Sequence, residues 1–166
     1  AVWHRPKAAA RRCASAAEVG APSARIFVAA RSAGAHLTGM GMAARRPRYS
    51  LGLPGKVMQG GLSVSGIYDL GPVARTPSIN ADLRLTESDA LKLSPGLMPP
   101  ATKAPVYISV GGRELGGFKE QHALIANQWS GVIASDIPCP DDNHFTILNS
   151  FANPEAELGK AALRVR

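Results

Sequence analysis

Only two cysteines, Cys13 and Cys139, occur among the 166 residues. So distant a pair offers neither a disulfide framework nor the close spacing of a metal cluster, and a reduced, cytoplasmic protein is the expectation. Aromatic residues make up only 5% of the chain, too few to interleave with arginines as a base-stacking surface requires. Long hydrophobic runs are missing as well. The apolar stretch around residues 25–30 falls well short of the roughly 18–20 residues of a membrane span, so no membrane association is expected. The basic N-terminus runs into Ala, Arg and Cys rather than a continuous apolar segment, and no secretory signal is legible.

Acidic side chains are also scarce, 12 against 19 Lys and Arg, for a net charge of +7. The excess lies in the first third (Lys7, Arg11, Arg12, Arg45, Arg46, Arg48) and at the tail (Arg164, Arg166). It forms no stripe, so it reads as a basic surface and not as a nucleic-acid site. What is present is apolar material: 45% hydrophobic residues and a mean hydropathy of −0.03. That suffices for the core of one domain.

Residues 1–24 form an atypical N-terminal segment in which residues 8–19 read as an Ala-rich helix without a clean apolar stripe. Residues 25–30, apolar and β-branched after Pro22-Ser23, predict a buried strand. The small, apolar run 32–44 predicts a helix and 45–61, rich in Pro, Gly and Arg, a loop. Strands are expected at 62–65, 105–110 and 131–138, and a helix at 118–129. Residues 67–103 read as mostly irregular, with one helix announced by the capping box Thr86-Glu-Ser-Asp89. Asn143-His144 opens a further helix, and Asn153-Pro154 starts a terminal one reaching Arg164. Alternating strands and helices imply a mainly parallel sheet of an α/β fold.

Three sets of residues carry chemistry. Ala30-Arg31-Ser32-Ala33-Gly34 lies between strand and helix, the setting of a sharp turn that lifts a serine hydroxyl above a sheet. Small residues at 30 and 34 let the two backbones approach; a serine at a plain helix N-cap is the competing reading. His144 follows the last strand, where a base can reach such a serine, although a histidine packed at a helix start has the same address. His4, His36 and His122 sit on no strand-end loop and read as structural. An orienting acid is expected after the third strand, where Glu114 stands; Asp136 is the second candidate. Arg113 is expected either to form an ion pair beside Glu114 or to be solvated.

Several of these segments together resemble a known group. Arg25-Ile-Phe-Val-Ala-Ala-Arg-Ser-Ala-Gly-Ala-His-Leu37 resembles the "RIFVAGHSAGAHL" strand and elbow of kynurenine formamidase-like α/β-hydrolases. Gly60–Leu70 is similar to their "GG-x-x-x-SG-x-YDL" segment, and Leu91–Pro95 to their "LSP" turn. Gly111–Phe118 is similar to their acid loop, and Asn143–Leu148 to "NHFTVL". The resemblance implies that residues 25–166 are the C-terminal part of an α/β-hydrolase domain, a partial α/β-hydrolase fold whose N-terminal strands are missing. It implies hydrolysis of an aryl formamide or small ester, with no metal and no organic cofactor. Ser32 would attack, His144 carry the proton, Glu114 orient His144, and the Ala33 N–H bind the oxyanion.

The departures from the family are Arg31 for its His, Ala30 for Gly, and Gly117 for an acidic residue. The family's "HGG" oxyanion loop finds no counterpart. These departures carry the expectation of weak ester hydrolysis and of an unpaired strand edge that invites a second copy, a homo-oligomer. A catalytically degenerate hydrolase-fold protein with a binding role, or a lipase or carbohydrate-ester deacetylase, are the other readings of the same elements.

Overall fold

The computed structural model describes residues 26–43 and 58–164. The expected helix at 8–19, His4, Cys13 and the proposed boundary at residue 24 lie outside them. Four parallel strands, β1 (Ile26–Arg31), β2 (Met58–Val64), β3 (Val106–Ser109) and β4 (Ile133–Asp136), form one sheet in the order β1-β2-β3-β4. Parallel neighbours need crossover connections. Helix α1 (Ala33–Ala43) leaves β1, and α5 (Gly116–Gln128) joins β3 to β4. Two helices, α6 (Ile147–Ala152) and α7 (Glu157–Arg164), come after the last strand. The result is an α/β arrangement, a parallel sheet with helices on its faces.

Each face of the sheet has its own core. Met42, Met58, Tyr68, Val106, Ile108, Ile125 and Trp129 pack on the side of α1 and α5. Leu62, Val64, Ile137, Cys139, Ile147 and Leu158 pack on the side of α6 and α7. Burying a side chain such as Ile108 or Leu62, both 0% exposed, contributes about 1.5–3 kcal/mol. Strand side chains alternate between faces, yet Met58 lies in one core and Leu62 and Val64, at the same parity, in the other. A register shift accounts for this. Ile26 pairs with Met58 but Phe27 pairs with Gly60, so Gln59 is an extra residue that inverts the facing of the rest of the strand.

The structure corrects several sequence expectations. Strand β2 begins at Met58, inside the expected loop 45–61. Its glycines serve close packing: a Cβ on Gly60 would lie 2.8 Å from the Phe27 ring, and one on Gly61 3.0 Å from Met42 Sδ and Thr38. Residues 67–103 hold three α-helices, α2 (Gly71–Ala74), α3 (Pro77–Leu83) and α4 (Glu87–Lys92), and a 3-10 turn at Pro95–Leu97. All are too short to display periodicity, and Pro72, Pro77 and Pro95 mark three of their starts. The Thr86–Asp89 capping box forms as read. Helix α7 starts at Glu157, not at Asn153. Asn153 instead closes a turn, its Oδ1 accepting from Glu155 N at 3.0 Å and its carbonyl from Ala156 N at 3.1 Å. Likewise α6 starts at Ile147, leaving His144 in the turn before it.

Candidate active site

Ser32 occupies a strained corner. It joins β1 to α1 with φ 54°, a left-handed conformation that costs a non-glycine residue on the order of 1–2 kcal/mol. Its neighbours hold it there: Ser32 N donates to Val64 O at 2.9 Å, and Ser32 O accepts from His36 N at 3.1 Å. The close approach expected of the flanking residues is present. A Cβ on Gly34 would lie 3.0 Å from that of Ala30, so the Ala30 methyl fills the space that Gly34 leaves. Ala33, the first residue of α1, directs an N–H that has no acceptor within the helix.

The loops after β3 and β4 are fastened to one another through their backbones. Gly111 bridges to Cys139, Gly112 N donates to Cys139 O at 2.8 Å, and Arg113 N to Asp142 O at 2.9 Å. Side chains at 111 and 112 would run into the carbonyls of Asp142 and Pro140, which is why two glycines stand there. Arg113 pairs at 3.1 Å with Asp141, not with Glu114; both side chains are well exposed, so the pair adds little. Asn143 shapes the next turn by accepting from Phe145 N at 2.8 Å and Thr146 N at 3.0 Å. That turn presents His144.

These loops bring Ser32, His144 and Glu114 into one hydrogen-bonded chain. His144 Nε2 lies 3.1 Å from Ser32 Oγ, and His144 Nδ1 lies 2.7 Å from Glu114 Oε2. The Glu114 side chain is fully buried. Its other oxygen accepts from Ser65 Oγ at 2.5 Å and from Gly111 N at 2.9 Å, so the carboxylate is satisfied on every side. The imidazole stacks on Phe118, centroids 4.1 Å apart, and meets Phe145 edge-on at 5.8 Å. Arg31 donates from Nε at 2.9 Å and Nη2 at 2.6 Å to the His144 carbonyl, its guanidinium 5.8 Å from the Phe145 ring centroid.

The remaining candidates lie elsewhere. Asp136, the second acid candidate, bonds His122 at 2.8 Å on the surface and does not reach His144. His36 is buried and donates from Nε2 to Leu93 O at 2.8 Å, tying α1 to the end of α4; burial lowers its pKa. Burial also pushes the Cys139 thiol up, which makes it a poor nucleophile. Ser65 and Phe118 went unrecognised in the sequence. Ser65 lies before Gly66 in the Gly60–Leu70 segment and has a positive φ of 49° in the structure, but no sequence pattern assigns its hydroxyl to Glu114. Among the described residues no group of His, Cys, Asp and Glu could hold a metal ion, and no helix is long and apolar enough to cross a membrane.

No family model matches the chain. It is 29% identical to a kynurenine formamidase of Salmo salar over 150 residues, covering 84% of this chain and 49% of that protein. A kynurenine formamidase of Danio rerio is 26% identical over 147 residues with the same coverage. The chain thus spans about half the length of the curated relatives it matches. Among solved structures, a protein assigned as a thioesterase of Silicibacter sp. superposes with a TM-score of 0.73 at 25% identity, over 92% of this chain and 56% of that one. Esterase 2 of Thermogutta terrifontis, phosphoramylated by tabun, superposes with a TM-score of 0.68 at 16% identity, over 99% of this chain and 61% of that one.

Proposed function

We propose that this chain, one of the kynurenine formamidase-like α/β-hydrolases, is the part of a serine hydrolase that carries its nucleophile, acid and base, and that it cleaves an aryl formamide or a small carboxylic ester. One observation carries the reading: the unbroken chain Ser32 Oγ–His144 Nε2–His144 Nδ1–Glu114 Oε2, at 3.1 and 2.7 Å, hung on a serine at φ 54°. These are the contacts that a serine nucleophile, its base and an orienting acid require.

In the proposed reaction Ser32 Oγ attacks the substrate carbonyl while His144 Nε2 takes its proton. Glu114 holds the Nδ1–H, selecting the tautomer whose Nε2 is free to accept, and stabilises the imidazolium that forms. The oxyanion develops beside the Ala33 N–H, one of its donors. His144 then protonates the leaving amine or alcohol, and the acyl-serine is hydrolysed by a water that the same imidazole activates. Phe118, stacked on the imidazole at 4.1 Å, covers one of its faces.

A fluorophosphonate probe combined with peptide mapping tests the reading, alongside turnover of N-formyl aryl amines and p-nitrophenyl esters. Labelling at Ser32 with turnover is expected, both abolished in Ser32→Ala. A folded protein that neither labels nor turns over would favour a hydrolase fold retained for binding.

A further inference from the structure

We propose that Arg31 is a positioning residue that sets the distance between Ser32 and His144; this rests on the serine-hydrolase function proposed for the chain. Two separations must be held for the hydrogen-bonded chain to work, and they have different tethers. The Glu114–His144 spacing is set by the backbone lacing of Gly111 and Gly112 to Cys139 and of Arg113 to Asp142. That lacing does not touch the elbow. Among the described residues, the hydrogen bonds joining the elbow to the His144 turn are the Ser32–His144 contact and the two from Arg31.

Arg31 is suited to this task by its place and its chemistry. It is the last residue of β1 and the immediate neighbour of Ser32, so its backbone shares the strand anchorage of the nucleophile. Its guanidinium closes a two-pronged bond on a carbonyl 113 positions away, the carbonyl of the residue that bears the imidazole. A planar fork fixes orientation as well as distance, and a guanidinium donor makes a charge-assisted bond. The guanidinium carbon also lies 5.8 Å over the ring centroid of Phe145, the next residue of the same turn. A lysine would supply charge with a single, freely rotating donor group. Displacements near 1 Å at reacting atoms cost about a hundredfold in rate, so losing the fork should act on the chemical step and not on substrate affinity.

The test compares Arg31→Met and Arg31→Lys with wild type, all rates being expressed per titratable serine. For Arg31→Met, kcat should fall by about tenfold to a hundredfold with KM within about threefold, and Arg31→Lys should recover part of the loss. The downfield proton resonance of the His144–Glu114 bond should persist in both, because the lacing is intact. Amide exchange at Phe145 and Thr146 should accelerate about tenfold in Arg31→Met, a readout that needs no turnover. Unchanged exchange in Arg31→Met would overturn the inference even if the wild type proved inactive, whereas an inactive wild type with accelerated exchange would sink only the functional reading. Unchanged kcat per serine, or a loss confined to KM, would also overturn it.

Discussion

Ser65 donates its hydroxyl to Glu114 Oε1 across 2.5 Å, at a carboxylate with no access to water. The donor itself is held in a left-handed turn, φ 49°, by the bond from its N–H to Ser109 O at 2.8 Å. A hydrogen bond to a buried charged group contributes about 1.5–3 kcal/mol, and it also prevents the carboxylate from rotating away from His144. Ser65→Gly should therefore lower kcat by about tenfold, while the glycine relieves the backbone strain. Ser65→Ala should lose the same activity and more stability, because alanine keeps the strain without the bond. Chemical denaturation and turnover of the two variants side by side check this; equal stability of Gly and Ala would contradict it.

Glu114 and Asp136 compete for the orienting role in sequence and have separate partners in the structure. Glu114→Gln should lower kcat by about 10²–10⁴, the scale seen when an orienting acid is neutralised elsewhere, with little change in the circular dichroism spectrum. Asp136→Asn loses only an exposed contact to His122 and should leave turnover within about twofold. Steady-state kinetics on both variants decide between them; a large loss in Asp136→Asn would reassign the acid.

Glycines at the two ends of the acid loop should respond oppositely to alanine. At Gly112 a methyl group would meet the Pro140 carbonyl, so Gly112→Ala should cost about 1–3 kcal/mol and prise the Glu114 loop from the His144 loop, with activity falling more than stability alone explains. Nothing lies within 4 Å of a Cβ at Gly117, which sits in the first turn of α5. Gly117→Ala should raise stability by up to about 1 kcal/mol by restricting the unfolded chain. Urea midpoints for both measure the contrast.

His36 makes stability depend on pH. Burial holds its folded pKa below the ordinary value of 6.5, although its bond to the Leu93 carbonyl opposes the shift. Well above pH 6.5 the group is neutral in both states and stability is complete. Below that value the unfolded chain takes up a proton that the folded chain refuses, so stability falls as pH drops from 6.5 towards the folded pKa, by up to about 1.4 kcal/mol per pH unit. His36→Gln should flatten this part of the curve. Thermal unfolding of wild type and variant at pH 7.5 and 5.5 checks it, the expected sign being a larger acid-side loss of Tm in the wild type.

Local pattern was enough for the outline of this protein. The apolar runs before Ser32, Glu114 and His144, each closed by a Gly- or Asn-containing turn, could be read as strands ending in loops, because alternation of apolar segments and turn residues reports local burial directly. The pairing of small residues at Ala30 and Gly34 announced the tight corner for the same reason: both belong to one short stretch of backbone. The helices α2 and α3 escaped that reading because four and seven residues are too few to display a 3.6-residue period. What tertiary structure alone decided is which distant groups meet. In sequence Glu114 follows the third strand on a loop and Asp136 sits inside the fourth, which favours Glu114 but does not fix the partner of either. Only the lacing of Gly111 and Gly112 to Cys139, and the packing of α5 that puts His122 over Asp136, directs one carboxylate to His144 and the other to the surface. Arg31 shows the same division: its charge beside Ser32 is evident from the chain, but its acceptor, the His144 carbonyl, lies 113 residues away. Hydrogen bonds between strand-end loops leave no periodic trace in either partner, so such pairs are set by how the sheet stacks its edges and not by any pattern along the chain.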